Sequence, residues 1–396
     1  WDILLLEAGT LAAACALAAV PWALSAQNFC SALATHAVVL LGVKLMWGSF
    51  ACKLASGCPE WNSGQAMAHH HRTTCIPKPL GRAAHLWTNR AAWRSSLQGF
   101  ATLIVEGPFC LLALSGLHHL RGLCALGWIG LMVAIVVTGN YGFFNLLSIV
   151  IFIALLDDAH LHGLVNPHLV LQAGRLSAEW APTDFVFAAA FAAGWAVYAA
   201  STVALLARAS GASPHSWAVA AGRSLAPWRL AGSFGLFARM TTSRDEIVIR
   251  ELHKLTEGEA RASGARDAGK GHYWVELALP FKPGPLSRAP PSVLLHMPRL
   301  DWQFWFASLA WARRGQPPPW FTRFLELLRV RRPEVVRLVS HKRQSALQER
   351  ILASKPLDVR VTLEEYQYSD PKADKELGPE WERGKWWRRR PVLTYG

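Results

Sequence analysis

The strongest constraint on this chain is a set of apolar runs close to the roughly 20 residues that cross about 30 Å of hydrocarbon. They fall at Ile3–Leu24, Ala32–Leu54, Leu97–Leu117, Gly122–Val137, Tyr141–Leu156 and Phe185–Ala207. Helices of a water-soluble bundle need a polar face, and Leu131–Val137 and Ile149–Leu156 have none. The fourth and fifth runs are short and separated only by Thr138-Gly139-Asn140, so they form either a tight helical hairpin or one re-entrant pair. The chain begins at Trp1 without an initiator Met. An amino-terminal portion is therefore expected to be missing or processed, with any signal sequence or earlier span out of view.

Charge is distributed as unevenly as hydrophobicity. Residues 1–207 carry nine Lys/Arg and eight Asp/Glu out of totals of 41 and 27, so 208–396 supplies +13 of the net +14. A nearly neutral, apolar half precedes a basic, polar one, which predicts a membrane region over 1–207 with a polar loop at 55–96, a linker at 208–229 and a soluble domain over 230–396. In that domain Arg244–Leu252, His272–Leu279 and Leu357–Tyr368 alternate as strands do. Thr256–Gly271 reads as a mobile loop, and Pro280–Pro298, with six prolines, as an extended segment. Asp301 is placed to cap a helix through Arg313, with Trp302, Trp305, Phe306 and Leu309 as its apolar stripe. Trp320–Val330 presents Phe321, Phe324, Leu325 and Leu328, and a third helix follows Pro333. The fold class expected is thus an α-helical multi-pass membrane bundle followed by a mixed α/β domain, strand-rich with Trp-rich amphipathic helices.

All seven cysteines lie before residue 125. Cys15, Cys110 and Cys124 sit within apolar spans and read as packing. Cys58 and Cys75 share the polar loop, where they are either two thiols or a disulfide worth about 3 kcal/mol in an oxidising compartment. Four spans separate this loop from the basic tail, so loop, tail and the Thr138–Asn140 turn face one side. The loop carries Arg72, Lys78, Arg82, Arg90 and Arg94 and the opposite loop, Asp157–Asp184, is acidic, so the positive-inside count favours the cytosol for that side while an oxidised pair would favour a lumen.

Ionisable residues inside spans are functional candidates by default. Lys53, near a membrane edge, is expected to snorkel, and Lys44, deeper, to pair with Glu7 or Glu106. Glu106 precedes Pro108, where a broken helix would create a polar pocket. Thr138, Gly139, Asn140 and Asn145 form a polar hairpin site, with Gly139 supplying freedom at positive φ, and Tyr141, Phe143 and Phe144 read as interfacial aromatics. His69, His70, His71 and His85 with Cys58 and Cys75 suggest a metal, but three consecutive side chains cannot converge on one ion and no HExxH or paired CxxC occurs. No metal or other cofactor is expected. No GxSxG, GxxxxGK[ST] or GxGxxG motif occurs either. The basic excess, including WWRRR at Trp386–Arg390, reads as a surface for anionic headgroups or an acidic client, or as a solvated face, rather than for nucleic acid.

Several segments carry a family resemblance. LMWGSFACKLASGCPEW (Leu45–Trp61), CIPKP (Cys75–Pro79), TGNYGFFNLLSIVIFIALLDD (Thr138–Asp158), GSFGLFARMTTSRDEIVI (Gly232–Ile249), FKPG (Phe281–Gly284), RAPPSVLLHMPRLDWQFWFASL (Arg288–Leu309) and KWWRRRP (Lys385–Pro391) resemble the lipase maturation factor family. The chain departs from that pattern at His71, where the family has Tyr, and in the Gly/Ala-rich insertion near Arg261–Lys270. The resemblance implies a multi-pass endoplasmic-reticulum membrane protein with a lumenal carboxyl-terminal domain. Its role would be the maturation and secretion of homodimeric lipases of the lipoprotein lipase type by client binding, alongside other lumenal folding factors. It also favours pairing of Cys58 with Cys75. Arg299, Asp301, Trp302, Trp305, Trp320 and Phe321 are the candidate client-binding residues; Trp302 and Trp305 can also anchor their helix on the sheet, and the Pro-rich segment with Trp320-Phe321 is favoured as the client-facing surface. The rival is a membrane-embedded enzyme of the vitamin K-dependent carboxylase-like type, using Lys53, His70 and Glu106 as acid/base groups.

Overall fold

The computed structural model describes residues 1–19, 26–156, 160, 180–211, 213, 215–230, 232–294, 296–340, 345–370, 374, 377, 378 and 380–395. The end of the first expected span and most of the loop Asp157–Asp184 lie outside the described residues. In chain order the helices and strands of the first part are α1 (Asp2–Ala18), α2 (Gln27–Ala55), α3 (Pro59–Asn62), α4 (Ala66–Thr73), β1 (Ile76–Pro77), α5 (Pro79–Thr88), α6 (Ala92–Glu106), α7 (Phe109–Ala113), α8 (His118–Thr138), β2 (Gly139–Asn140), α9 (Phe144–Ile153), α10 (Pro182–Ala209) and α11 (Ser216–Leu225). The remainder is β3 (Asp245–Lys254), α12 (Glu257–Ser263), β4 (Arg266–Gly269), β5 (His272–Leu277), α13 (Arg299–Arg314), α14 (Pro319–Arg329), α15 (Pro333–Val339), α16 (Ala346–Ala353), β6 (Asp358–Tyr368) and β7 (Trp387–Tyr395). Two compact units result, one of 1–67, 92–135 and 143–240, the other of 68–91, 136–142 and 241–396.

The first unit is helical. Among the described residues four stretches are long and apolar enough to cross a membrane: α2, the α6–α7 run Ala92–Ala113, α8 and α10. One of the six expected spans falls short. The described part of the first, helix α1, has 17 residues. Helix α9 has only 10, which at 1.5 Å per residue reaches about half of the hydrocarbon core. Tyr141–Phe143 are used in the turn before α9, and past its end Ala154, Leu155 and Leu156 close tight i→i−3 bonds of 3.2, 3.1 and 2.9 Å. The α6–α7 break falls at Gly107-Pro108, where proline lacks the N–H that would continue the ladder. Helix α2 is the hub: 56% of its apolar window is buried, against 22–28% for the other three. Close packing explains part of this, because Gly42 leaves room for the Trp128 and Phe152 rings.

The second unit is built on an antiparallel sheet of order β4-β5-β3-β6-β7. Period-2 alternation sends Ile247, Ile249, Val361 and Leu363 to one face, where they form a core with Phe304, Ala307 and Trp311 of α13 and Phe321, Phe324, Leu325 and Leu328 of α14. The register Ile247↔Leu363, Ile249↔Val361 and Arg250↔Arg360 follows from that alternation. Thr256–Gly271 is not the mobile loop expected from its composition. Thr256 and Glu259 form a capping box that starts α12, and Arg266–Gly269 adds the edge strand.

Two segments that precede the sheet in sequence belong to this unit. Strands β1 and β2 pair through Ile76↔Asn140 and Pro77↔Gly139. The Arg82 guanidinium donates to the Ser369 carbonyl at 2.8 Å and stacks on Trp386 at 4.8 Å. At Gly81 a Cβ would stand 2.6 Å from the Thr138 carbonyl oxygen, so only glycine fits. Residues 68–91 of the polar loop, the turn after α8 and the sheet domain therefore share one compact unit.

Candidate functional site

Each lysine in the α2 span is neutralised by a carboxylate from another helix. Lys44 pairs with Glu7 of α1, whose carboxylate also accepts from Tyr198 Oη at 2.8 Å and from the Gly232 N–H at 3.2 Å. Lys53 does not snorkel. It is 1% exposed, and its ammonium lies 2.9 and 2.7 Å from the two Glu106 oxygens, 3.2 Å from the Ser49 carbonyl and 3.0 Å from the Leu236 carbonyl. A charge in a span is tolerable when its donors are satisfied by protein. Here α2 supplies the charge and neighbouring chain supplies the acceptors.

Gly232–Met240 is an extended strap within this helical unit, and its backbone groups find side-chain partners along α2 and α3. Leu236 accepts from Lys53, Trp61 Nε1 donates to the Phe237 carbonyl at 2.8 Å, and the Met240 N–H reaches Cys58 Sγ at 3.3 Å. Phe237 is held at φ 56°, a conformation rare for an aromatic residue, and the Trp61 bond secures it. Sequence reasoning singled out Lys53 and Glu106 and the motif that starts at Gly232, but missed that this motif forms a strap seated on α2.

Of the rival enzyme's three groups, the structure joins Lys53 to Glu106, while His70 lies on α4 in the second unit. Burial, then the nearby Arg72 charge, pushes His85 down to about 3, so this imidazole stays neutral. Among the described residues no three His, Cys, Asp or Glu side chains converge as a metal site would require. Cys58, one half of the expected disulfide, falls in the first unit and Cys75 in the second. Cys58 Sγ contacts Glu60 at 2.9 Å and accepts the Met240 N–H, and Cys75 is buried, which pushes its thiol well up.

At the turn after α8, Asn140 Oδ1 accepts the Gly142 N–H at 2.8 Å and its Nδ2 donates to the His296 carbonyl at 3.3 Å. The positive φ sits at Gly142 (62°), not at Gly139, which pairs in β2 instead. Thr138 closes α8, and Asn145 donates to the Met132 carbonyl at 3.3 Å, tying α9 back to α8.

Asp301 is not the cap of α13, whose N-cap is Pro298. Its Oδ1 accepts the N–H groups of Phe281 and Lys282 at 2.9 and 2.8 Å, fixing the start of the Pro-rich segment. Burial pushes its carboxyl above the ordinary range against the pull of those two donors. A raised folded value means that this contribution to stability is full at acid pH and is lost as pH rises past it. Asp301→Ala should cost about 2–4 kcal/mol by stranding two donors. Asp301→Asn keeps the accepting oxygen, should cost under about 1 kcal/mol and should lose that pH dependence; melts across pH check both.

The apolar stripe of α13 is shifted from expectation. The sheet-facing residues are Phe304, Ala307, Ser308 and Trp311, whereas Phe306 is 46% exposed. Of the six candidate client contacts, Asp301, Trp302 and Phe321 are buried and unavailable, and Arg299, Trp305 and Trp320 keep exposed surface. The Trp386–Arg390 cluster is structural as well. Arg388 and Arg389 are each 5% exposed in β7, and Arg389 meets Glu276 at 2.7 Å and Glu364 at 3.1 Å. Those charges face carboxylates, not solvent. One concave feature of the unit is a cleft of about 480 Å³ between β5, the Pro-rich segment and α16, lined by Val275, Leu277, Pro280, Pro290, Pro291 and Ile351 among others.

Residues 1–163 match the lipase maturation factor transmembrane domain, and residues 230–396 match the lipase maturation factor C-terminal domain. The chain belongs to the lipase maturation factor family. Lipase maturation factor 2 of Homo sapiens is 29% identical over 89% of this chain and 58% of its own length. Its Gallus gallus counterpart is 27% identical over 100% of the chain and 64% of its own. Lipase maturation factor 1 of Homo sapiens is 26% identical over 100% of the chain and 65% of its own. The chain thus spans about three fifths of the relatives it matches. No solved structure matches it. The match assigns the apolar helices from α1 to α9 to the family's transmembrane domain and the sheet unit mainly to its C-terminal domain, while α10 and α11 lie between the two matched regions.

Proposed function

We propose that this chain is an endoplasmic-reticulum membrane factor for the maturation and secretion of lipases, with its sheet domain in the lumen, acting by binding its client. A secreted lipase of the lipoprotein lipase type, held while its subunits pair, is kept out of aggregation by mass action. The observation that carries this reading is the open apolar cleft beside the Pro-rich segment, on the same unit as the loop and turn that adjoin the membrane helices. Lys53 and Glu106 are read as structural, because each is closed by its partner and the strap. Residues 1–207 are taken as the membrane region and 230–396 as the client-binding domain.

Ala289 lines the cleft without belonging to the core cluster. Ala289→Trp should fill it and lower secreted active lipase at least about fivefold in co-expressing cells, with chain level and lipase transcript unchanged. Normal lipase secretion with a filled cleft would sink this reading. An enzyme would show itself differently, through loss of function in a Glu106→Gln variant that still folds and binds client.

A further inference from the structure

Helix α13 has a second apolar face. At 100° per residue Trp302, Trp305, Phe306 and Leu309 lie opposite the core-facing Phe304, Ala307, Ser308 and Trp311. The rings of this second face cluster, with centroids 6.1 Å apart for Trp302–Trp305, 6.1 Å for Trp302–Phe306 and 5.2 Å for Trp305–Phe306. Phe306 is 46% exposed, and Leu294, just before the helix, is 62% exposed. Arg299 and Arg313 share this side at the two ends of the helix and are exposed. The one acidic residue of α13, Asp301, is buried, so the exposed charge of α13 is all basic.

What covers this face is indicated by the residues fastened to it. Tyr141 packs on Trp302 at 5.8 Å, Asn140 bonds the His296 carbonyl, and Gly142 lies against Met297. Residues 139–142 are the turn between α8, which is long and apolar enough to cross a membrane, and the largely apolar α9. Chain continuity places that turn at the edge of the hydrocarbon, and a ring in contact with it lies at headgroup depth. Tryptophan and phenylalanine beside exposed arginine suit that depth, where ring bodies enter the acyl boundary and guanidinium groups meet phosphates.

We propose that α13 is an interfacial helix whose Trp305, Phe306 and Leu309 edge, backed by the buried Trp302, rests on the bilayer surface, preferring anionic lipid. This contact would fix the orientation of the sheet unit at the membrane and leave the cleft free. It goes beyond the lipase reading and does not depend on it.

The test uses the full chain in phosphatidylcholine vesicles, with and without phosphatidylserine, carrying a lipid with a diazirine in its acyl chain. After photolysis and trypsin, the peptide Leu300–Arg313 should carry lipid adducts, more with phosphatidylserine. Phe306→Asp should lower them at least about fivefold and Phe306→Leu should keep them. The peptide containing α10 is the positive control. Adducts on α10 with none on 300–313, or adducts unchanged in Phe306→Asp, would overturn the proposal. Protection of 300–313 from aqueous radicals without lipid adducts would place protein on the face and would overturn it equally.

Discussion

Lys53→Ala should be among the most damaging single changes in the helical unit, lowering stability by about 3–5 kcal/mol because it leaves Glu106 charged and buried without its partner. The same change removes the donor to the Leu236 carbonyl, so the strap loosens as well. The double variant Lys53→Met/Glu106→Leu removes both charges and should recover most of the loss, since a buried pair replaced by apolar groups of similar volume is often neutral. Thermal unfolding of the purified chain in nanodiscs separates the cases. Single and double variants equally destabilised would show that the carboxylate is not the source of the penalty. A double variant that is stable yet inactive in lipase secretion would reopen the acid/base role of the pair.

Gly48→Ala should be nearly as severe. A Cβ at this position would run into the Phe234 carbonyl oxygen, where backbone and not a flexible side chain must move. Overpacking costs about 1–3 kcal/mol and occasionally more, and backbone displacement puts this site at the upper end. The strap would lift from α2 and take Leu236 away from Lys53 and Cys52. Cys52 would then react faster with a membrane-permeant maleimide, read by peptide mapping. Unchanged Cys52 reactivity and an unchanged melting point would mean that the strap is not seated by Gly48.

Which elements were legible in sequence follows from the range of the forces involved. Strands β3, β5 and β6 and helices α13, α14 and α15 sit within a few residues of their expected positions, because local alternation and 3.6-residue periodicity carry that information. The capping box of α12 was equally local, yet the Gly/Ala-rich composition of Thr256–Gly271 concealed it. Strand β7 was hidden for another reason. Its arginines are exposed by every average, and only the carboxylates of neighbouring strands make their burial tolerable. The stripe on α13 was misplaced because the helix is apolar on both sides, and periodicity cannot say which side meets the sheet.

For the site, residue type alone marked Lys44, Lys53, Glu7 and Glu106, since a charge in hydrocarbon must be answered. The pairing of Lys53 with Glu106 and of Lys44 with Glu7 was decided by tertiary structure, because partners far apart in the chain are chosen by helix packing and not by spacing. The contacts of Cys58 Sγ are of the same kind, set by what the sulfur meets in its own unit. The amino-acid sequence by itself determined that apolar helices in a membrane precede an α/β domain, and to which family the chain belongs, because hydropathy and motif order are properties of the chain. Only the tertiary structure decided that a loop, a turn and a distant sheet form one unit, and that a strap satisfies the buried lysine. Those contacts join residues that no local pattern connects.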